Sequence, residues 1–482
     1  MKITTKISLL ILLFTFSVNA QIKLPEIVSS NMVLQRNTTI NIWGWAAPSE
    51  KITIKTSWKR EEIHVIANND GTWKVEVATT NSKVPQTISL KSKTSDITLK
   101  NILFGEVWLC SGQSNMEMPL KGFNGQPTFG AAQAIMHANN PNLRLFSVER
   151  NASKEALDAL KKTNGWEIVS PETAANFSAV AYFFGQQLQE ILDVPVGLIH
   201  TSWGGSSVEA WTSKEALSEF QTVDLEKVDI SNKPNIIPTV LFNAMIHPII
   251  SYTIKGVLWY QGENNRGKPE EYKKLFPAMV KDWRGRWNQG DFPFYYTQIA
   301  PFNYGGNHQF EISKNSAFMR EAQLDCLELI PNSGIAITLD LGDATSIHPP
   351  KKKEVADRLL MNALNQTYGM KAVKYLSPIY KSLEIKNNQI ELTFKNIDLG
   401  LYAFDSLKDF EIAGEDKVFY PAEGKIVNRK FVHVSSEKVP NPVAVRYAWR
   451  NFVQASLFDN VLLPLSSFRT DEWNDATNSE NK

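Results

Sequence analysis

Glu106-Val107-Trp108-Leu109-Cys110-Ser111-Gly112-Gln113-Ser114-Asn115-Met116 is a mostly apolar run that ends in a glycine, an amide, a serine and an asparagine. A short run of this kind reads as a strand buried on both faces, as in a parallel sheet covered by helices. The polar residues that follow it then lie at the strand's carboxyl end, where open α/β sheets hold their ligands. The serine is not in the Gly-x-Ser-x-Gly elbow of α/β-hydrolases, because Met116 stands where the second glycine would be.

Outward from this stretch the same rhythm repeats. Further apolar runs are Val194–Ile199, Gly256–Tyr260, Phe294–Ile299 and Ile335–Leu339, and helical patterns lie between them over Val180–Leu192, Glu271–Trp287 and Ser316–Leu327. Strands alternating with helices predict a three-layer α/β/α domain with a parallel sheet over residues 101–370. Before it, Ile40–Trp45, Ile52–Lys55 and Trp73–Val77 alternate in period two around the turn Asn69-Asp70-Gly71, which predicts an N-terminal β-sandwich over residues 21–100. After it, Ile390–Phe394, Phe431–Val434 and Ala444–Tyr447 predict a β-rich region over residues 371–482, with a polar, disordered tail after Asp471.

A length of 482 residues exceeds one ordinary core, in keeping with this division. A net charge of +1, with Lys and Arg spread along the chain, argues against nucleic acid as a partner. Lys2 and Lys6 flank the start of a short apolar run, Ile7–Phe16, and Val18-Asn19-Ala20 follows. This predicts a signal peptide over residues 1–20, export to the periplasm or medium, and a mature chain from Gln21. The run is too short for stable membrane insertion, and no later segment reads as membrane-spanning. Export would permit a disulfide between the two cysteines, Cys110 and Cys326; two buried thiols is an equal reading, and the sequence does not choose. Too few cysteines exist for a thiolate zinc site.

Reactive polar residues and glycines gather after four of the runs: Gly112–Met116, Thr201–Ser207, Gln261–Asn265 and Asp340–Pro349. A parallel sheet brings all four to one edge. Together they hold what acyl transfer needs: a hydroxyl nucleophile, a base, donors for an oxyanion, and an acid to orient the base. Ser114 offers the nucleophile, Gly204-Gly205 a close-approaching backbone, His348 the base, and Glu263 or Asp343 the acid. His200 ends a strand beside the glycines; His64, His137, His247, His308 and His433 have no such context. Asp340, Asp343 and His348 could alternatively hold a metal ion, but no third cluster of strong ligands lies nearby.

Gly112-Gln113-Ser114-Asn115-Met116, Trp203-Gly204-Gly205-Ser206, Trp259-Tyr260-Gln261-Gly262-Glu263 and Ile347-His348-Pro349 resemble the motif blocks of the sialate O-acetylesterases, SGNH (GDSL-like) hydrolases related to acetylxylan esterases. Asn31–Arg36 and Phe468–Asp471 extend the resemblance over nearly the whole mature chain. It implies an SGNH-type fold, serine-based removal of acetyl groups from carbohydrate, and no cofactor or metal. Carried over by position, Ser114 is the nucleophile and His348 the base. The oxyanion hole takes the N–H of Ser114, that of Gly205, and a side-chain amide from Gln261, Asn264 or Asn265. Gln113, Asn115 and Trp211 are expected to meet substrate, with Trp203, Trp259 and Tyr260 as further aromatic candidates, and the loop Asn303–Gln309 is expected to wall the pocket.

One departure matters. The family's triad aspartate stands three residues before the histidine, and here that position is Thr345, with Ser346 next to it. Glu263 is the expected acid, with Asp343 and Asp340 as alternatives, or a Ser–His dyad oriented by a backbone carbonyl. The missing aspartate and the two flanking β-regions also leave open a carbohydrate-binding protein on an inactive esterase scaffold. The substrate can be an acetylated sialic acid, an acetylxylan or another acetylated glycan. A histidine base of ordinary pKa, ~6.5, predicts activity that falls as pH drops through that value. Oligomeric state is not legible.

Overall fold

Strand β1 (Asp96–Gly112) runs through the middle of the molecule, and from Ile102 onward every residue of it is buried. Its side chains alternate between two apolar layers. Val107 and Leu109 join Ile199, Val257, Trp259 and Phe294, whereas Trp108 and Cys110 join Leu198, Leu258 and Tyr295. A strand with apolar residues on both faces is stable only when both are covered. The structure, a computed structural model, describes residues 21–161, 163–226, 228–305, 311–473 and 477–478. The expected signal peptide, most of the Asn303–Gln309 loop, His308 and much of the C-terminal tail lie outside these.

Beside β1 lie β2 (Asn140–Ser147), β3 (Trp166–Val169), β4 (Val196–Ser202), β5 (Gly256–Tyr260), β6 (Phe294–Thr297) and β7 (Ser333–Ala336), in the order β7-β6-β5-β1-β4-β2-β3. All neighbours are parallel except β2 and β3. The register aligns Ser202, Gly112 and Tyr260 at the carboxyl ends of β4, β1 and β5, so the three loops that follow start side by side.

Helices α1 (Ser114–Glu117), α2 (Ala179–Leu192), α3 (Pro269–Trp287), α4 (Ser316–Leu329) and α5 (Lys352–Asn362) are among those of the domain. Val180, Phe184 and Leu188 of α2 and Val355 and Leu359 of α5 pack with Trp108, while Phe276 and Trp283 of α3 and Met319 of α4 pack on the opposite layer. The result is the expected α/β/α sandwich. The helices begin where their caps dictate: Ser178 Oγ accepts the Ala181 N–H, Asn315 the Ala317 N–H, and Pro269 takes the first position of α3.

The first half of β1 pairs antiparallel with Gln86–Lys91 of the N-terminal β-region, and its second half is the centre of the parallel sheet. The chain therefore passes from one to the other within a single strand. The C-terminal region is an antiparallel sheet built on Ile379–Lys386, Gln389–Lys395, Phe431–Ser435, Val418–Val427, Phe410–Ala413 and Ala444–Tyr447. Asp471 forms a bidentate pair with buried Arg446, and within the expected tail the described residues Thr477–Asn478 pair with Val418–Phe419. Cys110 and Cys326 are both buried free thiols. Among the described residues no helix is long and apolar enough to cross a membrane.

The C-terminal region is fastened to α4 by the fully buried Arg320, whose guanidinium donates to Ser467 Oγ, Ser316 Oγ, Ala448 O and Arg450 O. Arg320→Leu leaves those acceptors without a donor and should cost on the order of 3 kcal/mol. Calorimetry should then show an earlier unfolding transition, and an unchanged thermogram would contradict this role.

Candidate active site

Gln113 and Ser114 are placed by a close approach of strands. Gln113 N–H donates to Tyr260 O at 2.9 Å. Gly112 permits this, because a Cβ there would stand 2.2 Å from Tyr260 O, and its φ of +140° is one that side chains resist. The chain then turns at once into α1, whose first residue is Ser114. Met116, which replaces the elbow glycine, is fully buried.

His348 comes to Ser114 from the loop between β7 and α5. Its Nε2 lies 2.7 Å from Ser114 Oγ, and its Nδ1 lies 2.7 Å from Gln126 Oε1. An amide oxygen only accepts, so the imidazole carries its proton on Nδ1, and Nε2 is free to take one from Ser114. Phe123 meets the imidazole edge-on, 5.4 Å between centroids. Phe123 and Gln126 close a tight turn by exchanging backbone hydrogen bonds, with Gly125 at φ +70°. Burial, and after it the charge of Lys352, push the His348 pKa down to about 4. The ring is therefore neutral at ordinary pH, well below the expected value of ~6.5.

None of the three expected acids touches the imidazole. Asp343 Oδ1 accepts from the Thr345 N–H, the Thr345 hydroxyl and the Ser346 N–H, which holds its pKa low and shapes the loop before His348. Asp340 forms a bidentate pair with Arg358. The two aspartates and His348 thus face different partners and do not converge as metal ligands. Glu263 is buried and accepts from Asn115 Nδ2 at 2.6 Å, with burial as the main cause of a raised pKa. Gln126, a residue with no titratable group, occupies the place expected for Glu263.

Asn115 is 1% exposed and is fully engaged, so it does not face substrate. Beside Glu263 it donates to Ile347 O at 3.1 Å and accepts from the ammonium of Lys352, which is buried in the first turn of α5. It thereby ties the Ser114 block to the Glu263 block and to the residue before His348. Burial lowers the Lys352 pKa to about 7 against the opposing pull of Glu263. Gln113 is also nearly buried, its Oε1 taking the N–H groups of Gly262 and Asn264.

Two of the three amides expected at the oxyanion hole are spent elsewhere, and the third, Asn264, is exposed. Gln261 Nε2 donates to Ser206 O and Asn265 Oδ1, and Asn265 Nδ2 donates to Glu209. Both stitch the third block to the Ser206–Glu209 segment instead of facing Ser114. The N–H groups of Ser114 and Gly205 have no acceptor among the described residues. Gly204 packs against the nucleophile, since a Cβ on it would lie 3.3 Å from Ser114 Cβ.

Trp211 does not offer a sugar platform. It is fully buried, its indole N–H donates to Ser206 Oγ, and its ring meets Trp259 edge-on. Trp259 and Tyr260 are equally buried. Trp203 alone of the four is partly exposed, with the Arg150 guanidinium 5.6 Å from its ring centroid. His200 is held by Ser202 and Phe177 and is structural.

Comparison with known proteins places the chain in a family. Residues 104–360 match the model of the carbohydrate esterase family described as sialic acid-specific acetylesterase. The sialate O-acetylesterase of Pongo abelii is 30% identical over 472 residues, spanning 88% of this chain and 86% of that protein. The human enzyme of the same name is 29% identical over 88% of this chain and 86% of its own. A carbohydrate acetylesterase from Xanthomonas citri superposes with a TM-score of 0.85 at 32% identity, covering 94% of this chain and 100% of that one. The chain belongs to the sialic acid-specific acetylesterase family of carbohydrate esterases.

Proposed function

We propose that this protein is a serine esterase that removes O-acetyl groups from sialic acid-type carbohydrate through an acetyl-enzyme. The observation that carries the reading is the chain of two 2.7 Å hydrogen bonds, Ser114 Oγ to His348 Nε2 and His348 Nδ1 to Gln126 Oε1. Ser114 Oγ attacks the acetyl carbonyl carbon as its proton passes to His348 Nε2. The tetrahedral adduct bears a negative oxygen, and the N–H groups of Ser114 and Gly205 stabilise it. Collapse breaks the bond to the sugar oxygen, which takes the proton from Nε2 and leaves as the hydroxyl. A water molecule then gives a proton to Nε2 and attacks the acetyl carbon. The second adduct releases acetate, and the proton returns to Ser114.

Gln126 supplies the orientation that an aspartate supplies elsewhere, but without a negative charge. The imidazolium gains no ion pair, in keeping with a low pKa. An imidazole held by an amide does without the missing aspartate, so that absence does not favour an inactive scaffold.

Ser114→Ala should abolish acetate release from an aryl acetate, and retained activity would sink the esterase reading. The base must be neutral to act, so kcat/KM should stay flat from about pH 8 to 5 and fall reversibly near pH 4. Gln126→Glu should raise the His348 pKa and move that acid limb up by roughly 1–3 pH units with activity retained. Gln126→Leu should lower kcat roughly 100-fold through lost orientation. A wild-type limb at ~6.5 that Gln126→Glu leaves in place would contradict the role given to Gln126. Among acetylated sialic acids, acetylxylan and other acetylated glycans, acetate release should be fastest from the sialic acids; a preference for xylan would instead assign a plant-glycan acetylesterase.

The same reading includes export. Lys2, Lys6, the Ile7–Phe16 run and Val18-Asn19-Ala20 support cleavage before Gln21, and Ile22 already belongs to the folded region, its N–H bonded to Ser95 Oγ. Mass spectrometry of the exported protein should find Gln21 as its first residue, and retention of residues 1–20 would overturn this.

A further inference from the structure

Residues 203–206 form a tight turn, closed by the Ser206 N–H to Trp203 O hydrogen bond at 3.2 Å, with Gly205 at φ +67°. A positive φ at the third position marks a type II turn, whose central peptide faces the opposite way from that of a type I turn. That central peptide joins the Gly204 carbonyl to the Gly205 N–H. In a planar trans peptide the two point in opposite directions, so whatever fixes one fixes the other.

Both polar atoms of Gly204 are held from outside the turn. Asn235 Nδ2 donates to Gly204 O at 2.9 Å. Asn235 is itself set by a short turn that begins at Lys233, at φ +48°, and Pro234, and its own carbonyl accepts the Ser207 N–H. On the other side the Gly204 N–H donates to Glu117 Oε2 at 2.9 Å. Glu117 closes α1, one turn beyond Ser114, and its second oxygen accepts from Arg150 Nε at 2.6 Å. Arg150 thereby offsets a carboxylate that would otherwise oppose negative charge on the adduct. The Trp203 N–H goes to Gly112 O, the Ser206 N–H to Trp203 O and the Ser207 N–H to Asn235 O. Within this turn and among the described residues, the Gly205 N–H is the one left without an acceptor.

We propose that Asn235 and Glu117 are positioning residues that latch the Trp203–Ser206 turn in the form presenting the Gly205 N–H to the oxyanion on the Ser114 adduct. The inference rests on the esterase reading. Without the Asn235 donor the central peptide can rotate toward the type I arrangement, which withdraws the N–H and offers a carbonyl in its place. Both act through the turn, so the loss falls on the transition state and not on substrate binding.

The test compares Asn235→Ala and the near-isosteric Asn235→Asp, which cannot donate when ionised, with wild type and Ser114→Ala. Active sites are counted with a fluorophosphonate so that kcat refers to competent protein. Loss of one oxyanion donor typically costs about 10²–10³ in turnover, and a donor still presented part of the time should cost roughly 10–100-fold. The expected result is a fall of that size in kcat, KM for an aryl acetate within about two-fold of wild type, and a parallel loss of affinity for an arylboronic acid, whose adduct on Ser114 carries the same tetrahedral geometry. A merely structural role would lower the fraction of competent sites and leave kcat per site and boronate affinity unchanged, which overturns the proposal. If Ser114→Ala is inactive while both Asn235 variants keep kcat and boronate affinity within two-fold, the latch is wrong and the esterase reading stands. Full activity in Ser114→Ala removes the esterase reading itself.

Discussion

The hydrogen bond from Gln113 N–H to Tyr260 O fixes where the chemistry can happen. It forms because Gly112 has no side chain, and a single methyl group there would overlap the Tyr260 carbonyl. Through it the end of β1 is locked to the end of β5, while the pairing of Gly112 with Ser202 locks it to β4. Three loops with no sequence proximity then begin at one level of one sheet. Gly204 of the second loop packs against Ser114, the carboxylate of the third accepts from Asn115, and the fourth delivers His348.

Polar groups around the serine divide into those that react and those that hold. Ser114 and His348 are partly exposed, and the N–H groups of Ser114 and Gly205 have no acceptor among the described residues. Asn115, Glu263, Lys352, Gln261 and Asn265 lie behind them, nearly inaccessible, and bond to one another or to loop backbone. Burying an acid, a base and several amides is costly unless each finds a partner. The return is rigidity: a single asparagine, Asn115, reaches the blocks of Ser114, Glu263 and His348 together. The neutral partner of His348 follows the same economy, since an amide orients the ring without adding a charge to a crowded, desolvated site.

Much of this was legible in the sequence. Residues 106–112 announce a strand buried on both faces, and the runs ending at Ile199 and Tyr260 share that character, so the parallel sheet and the gathering of four loops at its edge follow from pattern alone. Ser114 and His348 follow from chemistry at strand ends, and the role of the Gly205 N–H from the resemblance to the esterase motif blocks. The failures share a cause. Glu263 and Asp343 carry the charge an acid needs, but charge does not reveal direction, and each is turned toward another partner. Trp211 follows the glycine block yet packs inward as large aromatics commonly do. Gln126, Asn235 and Lys352 carried no signal: a glutamine in a Phe-Asn-Gly-Gln turn reads as a solvated loop residue, and only the folded chain brings it to His348.

His348 is a neutral base held by an amide. Nitrogen-15 NMR of the imidazole, in protein labelled at histidine and assigned with a His348→Gln variant, tests this directly. The account predicts a neutral ring protonated on Nδ1 through pH 6, becoming cationic only near pH 4. A ring already cationic at pH 6, or one carrying its proton on Nε2, would contradict it.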